Sequence, residues 1–79
     1  MTPSLLLAID QGTTGTTAMV MDVAGKVVGR ASRELPQHYP EPGWVEHDAE
    51  ELWETVVGAV AEGLHAANVS GAAVAAIGI

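Results

Sequence analysis

Seventy-nine residues without a cysteine make at most one small domain, with no disulfide framework and no thiolate metal site. A formal net charge of −7 argues against nucleic acid and anionic membranes as partners. With no secretory signal and no apolar run near about 18 residues, the cytoplasm is the expected location.

The charge is unevenly spread. Residues 1–33 carry Asp10 and Asp22 against Lys26, Arg30 and Arg33, whereas residues 34–79 carry eight acids and no Lys or Arg. An anionic ligand therefore meets less repulsion at the first half.

In chain order, a short lead-in precedes an apolar run, Leu5 to Asp10, that reads as a strand buried on both faces. It ends on a single carboxylate, Asp10. Gly12-Thr13-Thr14-Gly15 follows, where the glycines allow positive φ and close approach of a ligand to the backbone. Successive N–H groups and threonine hydroxyls make an anion-binding nest. The pattern suggests a polyphosphate held by N–H and O–H donors, with Asp10 holding Mg²⁺ through water. No Lys follows the glycines, so this is not a P-loop. The Rossmann pattern also fails, because its third glycine and its following helix are missing. Thr16 to Asp22 reads instead as a second strand, with Ala18 and Val20 on one face and Thr17, Met19 and Met21 on the other. The loop is thus a hairpin tip, as in actin-like ATPase domains. Gly/Thr-rich turns also close hairpins that bind nothing, so the tip alone decides little.

Asp22 to Lys26 is a turn with Gly25 at positive φ, and Val27 to Leu35 is a third strand with one wet face. Residues 36–47 form a loop with three prolines and Gly43. A metal site from His38, His47 and Asp48 fits no standard spacing, and anchoring of the loop by Tyr39 and Trp44 is the simpler reading. Asp48 is the N-cap of a helix over about 48–68, with Glu51 completing a capping box. Leu52, Val56, Ala59, Val60, Gly63, Leu64 and Ala67 form its apolar face, widened by Trp53 and Val57. Gly58 and Gly63 each cost about 1 kcal/mol of helix propensity relative to Ala, so close packing on the sheet is expected to retain them. Asn68 is the stop, Ser70 to Ala73 is a connection, and residues 74–79 form the last strand. The order β-β-β-α-β predicts an α/β fold, the opening half of a ribonuclease H-like domain, with the last strand parallel to the first through a right-handed crossover. The apolar ending at Ile79 reads as a piece of a longer protein.

Three blocks, Ile9-Asp10-Gln11-Gly12-Thr13-Thr14, Tyr39 to Asp48 (with Pro42-Gly43-Trp44-Val45-Glu46-His47) and Ala75-Ala76-Ile77-Gly78-Ile79, resemble the N-terminal end of the FGGY carbohydrate kinases, in particular their glycerol-phosphorylating members. The resemblance covers essentially the whole chain. It implies ATP-dependent phosphorylation of glycerol to glycerol 3-phosphate, in a cleft between two actin-like domains. By position, Asp10 resembles the carboxylate that organises Mg²⁺ and water. Thr13 resembles the contact to the transferred phosphate in ATP and product, and Gly12, Thr14 and Gly15 belong to the loop that meets ATP. Thr17 stands where many glycerol-phosphorylating members have an Arg facing the nucleotide. In the family the polyol-gripping Arg-Glu pair, the general base and the adenine pocket all lie beyond Ile79, so the 79-residue chain alone is expected to be inactive. ATP, ADP and a small polyol are the expected partners, and the full-length protein is expected to be a homo-oligomer. Two other readings stay open: a kinase of the same family acting on another polyol or sugar, and a free-standing binding domain that uses a sheet edge.

Overall fold

The computed structural model of the chain describes residues 4–38 and 48–79. Three antiparallel strands come first: β1 (Leu5–Gln11), β2 (Gly15–Asp22) and β3 (Val27–Glu34). The helix α1 (Ala49–Ala67), a 3₁₀ turn (Gly71–Ala73) and β4 (Val74–Gly78) follow. The sheet order is β3-β2-β1-β4, with β4 parallel to β1. A parallel neighbour requires a crossover, and α1 supplies it. The architecture is that of the N-terminal part of an actin-like ATPase fold. The predicted order and element types hold, with boundaries shifted by one residue; Leu35 lies beyond β3, buried, its N–H bonded to the Thr14 carbonyl at 2.9 Å.

Alternation decides the faces. Leu5 and Leu7 of β1 and Ala18 and Val20 of β2 are buried under α1, where they meet Ala59. Asp10, Thr17, Met19 and Met21 stand on the opposite face, as the period of two requires. Val60, Leu64 and Ala67 of α1 pack at the margin of this cluster.

The ends of α1 follow from their residues. Asp48 Oδ1 accepts from the N–H groups of Glu50 (2.9 Å) and Glu51 (3.1 Å), which satisfies two of the helix's otherwise unpaired donors. Glu51 itself turns its carboxylate to His38 Nε2, at 2.9 Å. Asn68 adopts the left-handed conformation at φ 56°, and Gly25 closes the β2–β3 turn at φ 88°.

One expectation about α1 is corrected. Trp53 is 67% and Val57 46% exposed, so neither widens the buried face. The stripe centres on Thr55, Ala59 and Gly63, because the helix lies across β2 and β3 and barely reaches β1. Thr55 is tolerated inside because its hydroxyl donates to the Glu51 carbonyl at 2.7 Å. Gly63 rests on Ala18, where an added Cβ would lie 3.5 Å away, whereas Gly58 faces the side chain of Arg33 rather than the sheet backbone. The expected anchoring of the loop by Tyr39 and Trp44 falls outside the described residues.

Candidate functional site

The β1–β2 hairpin builds the site. Register pairs Gln11 with Thr16 and Asp10 with Thr17, which leaves Gly12 and Gly15 as the closing residues and Thr13-Thr14 as the tip. The Gly12 N–H donates to the Gly15 carbonyl at 2.8 Å. That donor is spent inside the turn and is not offered to a ligand. Neither Gly12 nor Gly15 adopts positive φ, which corrects the first of the two expected reasons for these glycines. At Gly15 the reason is proximity: a Cβ there would stand 2.4 Å from the Arg33 carbonyl oxygen.

One side chain and one backbone N–H hold the tip, and the sequence alone singled out neither. Gln37 Nε2 donates to the Thr13 carbonyl at 2.7 Å and to the Leu35 carbonyl at 2.9 Å. The Leu35 N–H takes the Thr14 carbonyl. A trans peptide sets each N–H opposite the preceding carbonyl. The N–H groups of Thr14 and Gly15 are therefore directed away from Gln37 and Leu35. On the helix side of the hairpin, the buried Thr16 hydroxyl donates to Gln11 Oε1, and Gln11 Nε2 donates to the Gly12 carbonyl at 2.9 Å. Only a side chain with both an acceptor and a donor can make this bridge. The signal for it was the pair Gln11 and Thr16 opposed across a hairpin, legible once the register is known.

Beside the tip lies a cleft of about 460 Å³ lined by Asp10, Gly12, Thr14, Gly15, Thr16, Thr17 and, from β3, Ser32, Arg33 and Glu34. It gathers five of the six residues singled out from the sequence. Thr13 sits at the exposed apex, outside the lining. Asp10 is exposed at the end of β1. The third strand contributes Ser32, whose hydroxyl lies 2.8 Å from that of Thr17. Arg33 lies on the other face: its guanidinium pairs with Glu62 of α1.

Of the three residues weighed as a metal site, His38 is engaged by Glu51 and Asp48 caps α1, while His47 lies outside the described residues. Among the described residues no three potential ligands come together. No helix among them is long and apolar enough to cross a membrane.

The chain is 51% identical over its whole length to a glycerol kinase of Carboxydothermus hydrogenoformans, covering 16% of that protein. It is 50% identical over 74 residues to the glycerol kinase of Paraburkholderia phytofirmans and 51% identical over 74 residues to that of Rhizobium rhizogenes, in each case 94% of this chain and 15% of the relative. The chain thus spans about one sixth of the length of the curated relatives it matches. Residues 5–79 match the N-terminal domain of the FGGY family of carbohydrate kinases, and the chain belongs to that family.

Proposed function

We propose that the full-length protein carrying this chain is an ATP-dependent glycerol kinase of the cytoplasm, and that these residues form its phosphate-binding corner. The observation that carries the reading is the placement of Asp10: an exposed carboxylate at the end of β1, in one cleft with the hairpin tip. The choice of glycerol rests on the relatives, each named glycerol kinase and about half identical to this chain.

Phosphoryl transfer depends on positioning and charge stabilisation supplied by several parts at once. In this reading the N–H groups of Thr14 and Gly15 and the hydroxyl groups of Thr13 and Thr14 donate to phosphate oxygens. Gln37 and Leu35 hold the tip so that these donors need not reorganise when nucleotide arrives. Asp10 and Glu34 supply carboxylate oxygens to the cleft, and one or two carboxylates beside phosphate oxygens suit Mg²⁺, which keeps most of its water. Asp10 would hold the ion through such water. Bound Mg²⁺ offsets negative charge on the phosphates. The chain alone lacks the polyol and adenine contacts of the family and is inactive in this reading.

The test is an assay of ADP formation by the purified full-length protein with ATP and glycerol, followed by identification of glycerol 3-phosphate. Turnover with another polyol but not with glycerol would keep the kinase and replace the substrate. Absence of ATP turnover with any polyol or ketose would overturn the reading.

A further inference from the structure

One contact in the cleft is not accounted for by the hairpin tip. Asp10, Thr17 and Ser32 form a single row across β1, β2 and β3, set by the registers Asp10↔Thr17 and Thr17↔Ser32. All three line the cleft. Within the row the Thr17 and Ser32 hydroxyl oxygens are 2.8 Å apart, and either can be the donor. Each hydroxyl carries one hydrogen and two lone pairs. Whichever way the bond runs, one hydrogen is used between the pair and the other remains to be donated outward. A hydroxyl that is also hydrogen-bonded to a neighbour is polarised, which strengthens its outgoing bond. The row begins at a carboxylate, stands next to the tip and faces the same space.

We propose that Ser32 and Thr17 act as a two-hydroxyl relay that donates one hydrogen bond to a phosphate oxygen of the bound nucleotide, which makes Ser32 a nucleotide-binding residue contributed by the third strand. This rests on the kinase reading above and extends its site by one strand. The relay offers a neutral donor at a place where a cation would otherwise be useful. It also explains why a short polar side chain stands opposite Thr17: an apolar residue at position 32 would leave the Thr17 hydroxyl without this partner, and a long one would fill the space next to Asp10. A cross-strand Thr–Ser pair that only ties β2 to β3 would contribute modestly to stability and would be indifferent to nucleotide.

The experiment uses the full-length protein and titrates ATP, ADP and adenosine into the wild type, Ser32→Ala, Ser32→Thr and Thr17→Val. The relay predicts that Ser32→Ala weakens ATP and ADP by about three- to tenfold, the loss of one neutral hydrogen bond. Adenosine, which has no phosphate, should bind all four proteins equally. KM for ATP should rise in Ser32→Ala with kcat changed less, Ser32→Thr should restore affinity, and Thr17→Val should match Ser32→Ala. Unfolding midpoints measured alongside separate a loss of contact from a loss of fold. Wild-type affinity for ATP in a folded Ser32→Ala protein overturns the relay and leaves the kinase reading intact. Equal loss of adenosine and ATP affinity also overturns it, because the effect would then not pass through phosphate. A wild type that binds no nucleotide overturns both.

Discussion

The guanidinium of Arg33 lies directly over the Cα of Gly58: a Cβ added at Gly58 would stand 2.9 Å from Arg33 Cζ and 3.0 Å from Nε. From there Arg33 reaches Glu62, one turn further along α1. Gly58 therefore accommodates a flexible, half-exposed side chain, not the sheet itself. Gly29 is the opposite case. A Cβ there would meet the Ala67 nitrogen at 2.5 Å and the Gly63 carbonyl oxygen at 2.6 Å, and helix backbone cannot step aside.

These two glycines should respond differently to the same substitution. Gly58→Ala gains helix propensity of up to about 1 kcal/mol and only displaces the end of Arg33, so stability should hold or rise. Gly29→Ala should cost about 1–3 kcal/mol through overpacking. Denaturant unfolding of the two variants measures both, and a loss in Gly58→Ala as large as that in Gly29→Ala would contradict the account.

Asp10 should carry chemistry rather than stability, because it is exposed and at a strand end. In the full-length protein Asp10→Asn should lower kcat by about 10- to 100-fold, the range for groups that hold a metal through its outer shell, with the melting temperature nearly unchanged. Near-normal turnover would sink the assignment.

Gln37 should act on ATP without touching it. Gln37→Ala removes the donor to the Thr13 and Leu35 carbonyls, freeing the apex of the hairpin. KM for ATP should rise while stability falls by about 1 kcal/mol, as for a neutral hydrogen bond. An unchanged KM would show that the tip is held well enough by the Leu35–Thr14 bond alone.

Thr17→Arg should tighten ATP binding in the full-length protein. Position 17 lines the cleft, and the one base among the described residues lining that cleft, Arg33, is turned to Glu62. Replacing a neutral donor by a guanidinium should gain about 0.5–2 kcal/mol, or roughly two- to thirtyfold in Kd. The gain should shrink as salt rises, since a partly exposed charge contact is screened. Equal affinities at low and high salt would mean that side chains at this position do not meet the nucleotide.

Expressed by itself, the 79-residue chain should self-associate. β4 forms one edge of the sheet and carries no charge; Ile77 within it is 60% exposed and Ile79, just past its end, 97%, which is an aggregation hazard. A monodisperse monomer with a cooperative transition above about 60 °C, the upper mesophile range, would refute this.

Much of the molecule is determined locally, and the sequence by itself was enough there. A bounded apolar run marked β1, alternation gave the two faces of β2, Asp48 and Asn68 set the ends of α1, and the strand-to-turn change after Asp10 marked the candidate site. Each of these depends on residues a few positions apart, whose preferences survive without knowledge of the fold. The positive-φ glycine at position 25 was legible for the same reason, since a tight turn there admits little else.

What the tertiary structure decided are the relationships between distant residues. Trp53 fits an apolar helix face by spacing, yet it is exposed, because α1 lies over β2 and β3 and barely reaches β1, a placement that periodicity does not encode. Gly15 looks like a turn glycine, yet it is required by the closeness of the Arg33 carbonyl, eighteen positions away. The Thr17–Ser32 contact and the hold of Gln37 on the hairpin tip arise from strand register and loop return, and neither side chain carries a local signal. Register is fixed by burying one whole face of the sheet at once, a condition on the assembled chain that no short stretch of it can express.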